Sequence, residues 1–378
     1  MTETLRLQDR ELFWPPADAL TATAERIRAR LGDWPPTHAP WRLCLTPPDV
    51  PNGGDLIVVA DAAPHAAHIA RWMLDGAGVI EASGDTKLGR VTLHLGGERH
   101  ALEGSLAEDW VPALAAFLDC GFDPHDALVL ALAWRDGDEV HDEAHDEAQH
   151  DAWPVDIARF PRVLGLPDAP AQPFAPCPAQ LGLYPVLPSA DWVERVLDYG
   201  AQTVQLRSKQ PKSPALVQEI ERCVTAGRKH PDARVFINDH WREALAAGAY
   251  GVHLGQEDLR EADLGALAAA GLRLGLSTHG YFEMLTALHF RPSYIALGAV
   301  FPTTTKAMPT APQGLKRLAR YVQLLDGVVP LVAIGGIDAA VLPQVLATGV
   351  RCAAVVRAVT EAADPAAAVA ALRNAFTQ

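Results

Sequence analysis

The sequence predicts an α/β chain in two parts, a smaller α/β domain over residues 1–163 and a (β/α)8 barrel over residues 181–378. Three observations predict it. Eight short apolar runs alternate with helix-length segments through the second part, the spacing of a parallel barrel of roughly 200 residues. Residues 164–180, LGLPDAPAQPFAPCPAQ, are rich in Pro and Ala without periodicity, which is the composition of a semi-rigid spacer. A chain of 378 residues also exceeds one ordinary domain and suits two.

In the first part, residues 18–31 carry helical apolar spacing with Asp18 as an N-cap candidate. Residues 55–60 (DLIVVA) read as a buried strand and 63–74 as a helix. Residues 89–99 (GRVTLHLGGER) read as two strands around a Gly-Gly turn, followed by helices over 107–118 and 124–134. Residues 136–151 (DGDEVHDEAHDEAQHD) hold eight acids, no Lys or Arg, and His141, His145 and His150. So charged a tract cannot bury a core and reads as a solvated insertion, with metal binding as the alternative.

The order of strand hairpin and helix pair resembles the C-terminal half of a ribokinase-type kinase such as hydroxymethylpyrimidine phosphate kinase. Such kinases carry a glycine-rich turn as an anion hole, whereas this chain has EGSLAEDW at 103–110. The resemblance therefore implies a structural or regulatory remnant, and an unrelated α/β domain is the alternative.

The net charge of −14 argues against a nonspecific nucleic-acid surface, which needs a basic stripe. No apolar run is long enough to span a bilayer, and MTETLRLQDRELFWPP lacks a signal peptide's basic start and apolar core. A cytoplasmic protein is expected. Cys44, Cys120, Cys177, Cys223 and Cys352 lie far apart and read as reduced, structural thiols. A homodimer stays open.

The barrel strands fall at 181–187, 203–206, 235–237, 251–254, 272–276, 294–300, 330–334 and 352–356. Active sites in this fold sit on the loops after the strands. After the second strand, Gln205, Arg207 and Lys209 alternate along an extended segment and share one side, two cations and an amide suited to a pyrophosphate. Asn238 and Asp239 follow the third strand, and the HLGQED stretch puts Asp258 after the fourth. Two carboxylates there could share a hard cation, for which Mg2+ with substrate phosphates is the natural choice. Ser277, Thr278 and His279 follow the fifth strand. In YIALGAVFPTTTK (294–306), Pro302 ends the ladder, and Thr303, Thr304 and Thr305 stand beside Lys306 on a loop that suits a phosphate. Gly335 and Gly336, after the seventh strand, offer bare backbone amides at the usual phosphate position of such barrels.

From about residue 182 to the C-terminus the chain resembles thiamine phosphate synthase, through GLYPVL, VQLRSK, INDHWREALAAGAYGVHLGQEDL, GLSTH, FPTTTK and AIGGI in that order. That family joins an aminopyrimidine methyl pyrophosphate to a thiazole phosphate. The resemblance implies that Gln205, Arg207, Lys209 and Asn238 hold the pyrimidine pyrophosphate and that Asp239 and Asp258 hold its magnesium. It implies that Ser277 and Lys306 contact the pyrimidine substrate near its leaving group, with Arg207 and Lys209 catalytic beside them. Thr303, Thr305, Gly335 and Gly336 would bind the thiazole phosphate. The family's eighth strand often ends in Val-Ser, where this chain has Val355, Val356 and Arg357, so the Val356 backbone and the Arg357 guanidinium would meet that phosphate instead. Two other readings stay open: a thiazole tautomerase with His279 as base, which has no use for the pyrophosphate and magnesium set, and a non-catalytic sensor of thiamine precursors.

Overall fold

In a computed structural model, the residues described are 11–35, 41–60, 66–136, 152–303 and 311–377. The chain divides into two units, Met1–Leu166 and Pro167–Gln378. The acidic insertion, apart from Asp136, lies outside the described residues.

The first unit is built on a seven-stranded sheet in sequential order: β1 (Phe13–Trp14), β2 (Arg42–Cys44), β3 (Asp55–Ala60), β4 (Gly78–Gly84), β5 (Gly89–Leu95), β6 (Glu98–Gly104) and β7 (Arg162–Val163). β1 to β4 run parallel and β4 to β7 antiparallel. The Gly-Gly turn joins β5 to β6, with φ of 61° at Gly96 and 85° at Gly97, a pair of left-handed values that glycine adopts without steric cost. The helices Trp110–Asp119 and Pro124–Ala133 are mostly apolar and almost wholly buried, with Asp119 and Asp126 among their buried residues. Between the helix Asp18–Arg30 and Trp110–Asp119, Arg28 Nε donates to Asp119 Oδ2 at 2.9 Å in the interior, and Arg28 also donates to the Trp34 carbonyl at 2.6 Å. Removing one partner of such a buried pair costs about 3–5 kcal/mol.

The eight runs of the second part form a closed barrel of parallel strands: β8 (Gly182–Leu187), β9 (Thr203–Leu206), β10 (Arg234–Asn238), β11 (Gly251–Leu254), β12 (Arg273–Thr278), β13 (Tyr294–Leu297), β14 (Leu331–Ile334) and β15 (Cys352–Val355). β15 pairs with β8 to close it. β13 is shorter than its apolar run, although Val300 and Phe301 still donate to the Ile334 and Gly335 carbonyls at 2.9 and 3.0 Å. The interior is aromatic, with Tyr184, Phe236 and Tyr294 at its centre. Room for Tyr294 comes from Gly275 on the neighbouring strand, where a Cβ would lie 2.1 Å from the ring.

The Pro/Ala-rich stretch from Pro167 onward lies against the barrel. Ala175 N donates to the Leu272 carbonyl at 3.3 Å, Ser293 Oγ donates to the Ala175 carbonyl at 2.7 Å, and Phe174 is buried. Arg273 and Arg291 donate to the Pro176 and Pro170 carbonyls. Proline lacks a donor but keeps its carbonyl, so side chains flanking β12 and β13 can fasten a segment that has no ladder of its own.

Candidate active site at the barrel mouth

The residues singled out from the sequence fall at the C-terminal ends of β9, β10, β11, β12, β14 and β15. β9 to β12 are neighbours in the barrel, so their ends form one continuous arc. Gln205 is buried in β9, while the chain leaves the ladder after Arg207, whose N–H still donates to the Leu187 carbonyl at 2.8 Å. A cleft of about 800 Å3 opens here, lined by Arg207, Lys209, Val356, Arg357 and the end of β8. Arg357 is exposed and begins a one-turn helix, Arg357–Thr360, so its side chain joins the same cationic wall.

Glu219, which the sequence reading passed over, fastens this wall. It lies on the helix Pro214–Arg228, and its Oε2 accepts from Ser208 Oγ at 3.0 Å and Gln210 Nε2 at 3.2 Å. Its other oxygen accepts from Ala190 N at 3.2 Å. One oxygen thus holds the loop that carries Arg207 and Lys209, and the other ties Glu219 to the start of the helix Ala190–Asp198. No sequence signal marks it, because an acid on an amphipathic helix usually faces solvent.

The acidic part of the arc is adjacent. Asn238 ends β10 and pairs with His253 in register, and Asp239 follows with φ of 60°, a left-handed value to which Asp is better suited than most residues. Asp239 N donates to the His253 carbonyl at 3.0 Å, which ties the turn to β11. On β11's loop, Asp258 Oδ2 accepts from Gly255 N at 2.9 Å, leaving its other oxygen for a ligand. Among the described residues no group of three or more His, Cys, Asp or Glu could hold a metal ion.

At β12 the sequence reading found Ser277 and missed its setting. Ser277 Oγ lies 2.8 Å from His253 Nε2, and His253 Nδ1 lies 2.7 Å from the Tyr294 hydroxyl. The Tyr294 and Tyr184 hydroxyls are 2.9 Å apart, and Gln205 Nε2 donates to Tyr184 at 3.2 Å. Two predicted ligands on different strands are thus joined through the barrel interior. The polar atoms of Tyr184, His253 and Tyr294, set within otherwise apolar strands, were the available signal. Burial pushes both tyrosine hydroxyls well above their usual range, so both stay protonated. His279 belongs elsewhere: its N–H and Nδ1 both lie 2.8 Å from Glu283 Oε2, a pairing at the start of the helix Tyr281–His289.

Gly335 and Gly336 have φ of 103° and 65°, and a Cβ on Gly336 would sit 2.6 Å from the Pro302 carbonyl. The β14 loop therefore passes directly against the segment Phe301–Pro302 that leads to Thr303. Thr304, Thr305 and Lys306 lie outside the described residues.

A closed parallel barrel with cations, carboxylates and glycine amides around one mouth defines the class: a barrel enzyme acting on small phosphorylated molecules. The thiamine monophosphate synthase family model matches residues 183–359. The thiamine-phosphate synthase of Neisseria meningitidis strain Z2491 is 59% identical over 200 residues, 53% of this chain and 97% of the relative. That of Escherichia coli O157:H7 is 56% identical over 191 residues, 50% of this chain and 90% of the relative. A thiamine phosphate pyrophosphorylase from Pyrococcus furiosus is 31% identical, with a TM-score of 0.46, over 52% of this chain and 96% of its own. Through its barrel the chain belongs to the thiamine-phosphate synthase family, and it is an enzyme of the transferase class. Among the described residues no helix is long and apolar enough to cross a membrane.

Proposed function

We propose that the barrel condenses 4-amino-2-methyl-5-hydroxymethylpyrimidine pyrophosphate with a thiazole phosphate, giving thiamine phosphate and releasing pyrophosphate. The observation that carries this reading is the arc itself. Two cations on the β9 loop stand next to one carboxylate after β10 and another after β11, and Ser277 on β12 is tied back to Gln205 on β9.

Loss of pyrophosphate leaves positive charge on an electron-rich pyrimidine ring and gathers negative charge on the leaving group. Arg207, Lys209 and Lys306 stabilise the second of these by fixed electrostatics, with no side-chain nucleophile. Asp239 and Asp258 would hold Mg2+, which when bound neutralises pyrophosphate charge. Gln205 and Asn238 hold the pyrimidine substrate, and Ser277 donates a hydrogen bond beside its leaving group. Thr303, Thr305, the amides of Gly335, Gly336 and Val356, and Arg357 bind the thiazole phosphate, so that the thiazole nitrogen is held in line for attack. A cytoplasmic setting belongs to the same reading, supported by five cysteines that are all thiols.

For the N-terminal unit we keep a structural or regulatory role. Between β6 and the helix Trp110–Asp119, Ser105 Oγ donates to the Thr86 carbonyl, Leu106 would lie 2.4 Å from a Cβ on Gly89, and Asp109 caps the helix without a side-chain bond. Bulk and negative charge occupy the turn where a ribokinase-type anion hole would need glycines.

The test is thiamine phosphate formation from the two precursors, with and without Mg2+, in the full chain. Metal-dependent product is expected. Binding of the thiazole phosphate without any product would favour the tautomerase or sensor reading.

A further inference from the structure

Gln205, Tyr184, Tyr294, His253 and Ser277 form an unbroken line of hydrogen bonds of 3.2, 2.9, 2.7 and 2.8 Å through the barrel interior. We propose that Tyr184, Tyr294 and His253 are positioning residues that give this line one direction and so present the Ser277 hydroxyl to the substrate as a donor. The proposal rests on the reading of Ser277 given above.

The direction follows from counting protons. An amide nitrogen can only donate, so Gln205 Nε2 gives a hydrogen to the Tyr184 oxygen. Tyr184 is fully buried, and its own hydrogen needs an acceptor; the Tyr294 oxygen is the one within reach. Tyr294 in turn gives its hydrogen to His253 Nδ1, which must then be bare. The imidazole carries its proton on Nε2 and donates it to Ser277 Oγ. Ser277 accepts from inside the barrel, and its own hydrogen is left for a ligand at the mouth. Running the line the other way would spend the Ser277 hydrogen on His253. It would also need Gln205 to turn its oxygen toward Tyr184. Burial holds both tyrosine hydroxyls protonated, so each has a hydrogen to place.

A line of this kind could serve packing alone, and two measurements on the full chain separate the roles. The first is the tautomer of His253, read from nitrogen-15 shifts and assigned by the signal lost in His253→Gln. The proton is expected on Nε2. A proton on Nδ1 overturns the proposal, whether or not the enzyme turns over.

The second is a kinetic cycle of Tyr294→Phe, Ser277→Ala and the double variant, with both precursors and Mg2+. Tyr294→Phe keeps the ring beside Gly275 and removes one oxygen. It is expected to lower kcat roughly 10- to 100-fold, the scale for groups that orient another group, with KM for the pyrimidine substrate nearly unchanged. In the Ser277→Ala background it should cost almost nothing, because the group it positions is gone. Losses that multiply would sink the proposal, and Tyr184→Phe repeats the cycle should Tyr294→Phe unfold. A parent chain that forms no thiamine phosphate would overturn the functional reading instead, and the tautomer would still decide the direction of the line.

Discussion

The two units use the same alternation of strands and helices and differ in how they place polar residues. In the N-terminal unit these ionisable side chains pair with one another: Arg28 with Asp119 between two helices, and on the sheet Arg42 with Asp55, His94 with Glu81 at 2.6 Å, and Glu103 with both Arg90 and Arg162. In the barrel, Arg207, Lys209 and Arg357 line an open cleft instead, and the buried polar line ends at the mouth on Ser277. The lesson is that paired charges mainly secure a fold, whereas charges gathered at strand ends around a cleft mark chemistry.

The sharpest way to break that contrast is to move charge in each unit and read the same reaction. Asp239→Ala with Lys306→Ala should lower thiamine phosphate formation by roughly 1,000-fold or more, since a cation-binding carboxylate and a leaving-group cation go together. Glu103→Gln in the N-terminal sheet should leave the rate within about twofold. A comparable loss in both variants would show that the first unit takes part in turnover.

A finer prediction concerns Glu219, which is charged and paired yet serves the site. Glu219→Ala releases Ser208, Gln210 and the Ala190 N–H at once. The Arg207–Lys209 loop should loosen, raising KM for the pyrimidine pyrophosphate about tenfold with little change in kcat, on the scale of one or two hydrogen bonds to a charged group. Unchanged KM would mean that substrate binding orders the loop without Glu219.

The barrel was legible because its strands are buried on both faces and so read as plain apolar runs, and its loop residues were legible because phosphate chemistry needs few residue types. The short strands β1, β2 and β7 were not, since two or three residues carry no period to read. His253, Tyr184 and Tyr294 were hidden for a related reason: they sit inside apolar runs, and only the closed barrel brings five strands' side chains into one line. Glu219 needed the helix to be docked before its direction meant anything.

Acid should separate the units more gently. His100 on β6 stacks against His125 at 5.4 Å, and burial, aided by His125, lowers its pKa below the usual 6.5, with Glu98 at 3.5 Å opposing. His125 itself has Asp126 at 3.8 Å. The fold favours neutral His100, so this contribution to stability is complete above pH 6.5 and is lost as pH falls toward the lowered value. His100→Gln should flatten the pH dependence of N-terminal unfolding below 6.5 and leave barrel unfolding unaltered. A slope that persists would assign it to other groups.

The smallest expected difference is in how the units open. Burial pushes the Cys44 and Cys223 thiols up to about 12 and Cys352 well above its ordinary value, so none should react with a disulfide reagent at neutral pH while folded. Labelling then reports opening. Cys44 lies on β2, covered on one side only by the two-residue edge strand β1, whereas Cys352 lies in a barrel that closes on itself and has no edge. As denaturant rises, Cys44 should become reactive before Cys352, with rates differing roughly tenfold at intermediate concentration for an opening difference of about 1.4 kcal/mol. Mass spectrometry of the labelled peptides reads both thiols in one sample. Simultaneous labelling would mean that the two units unfold as one cooperative body, and the contrast drawn between them would then hold for chemistry alone.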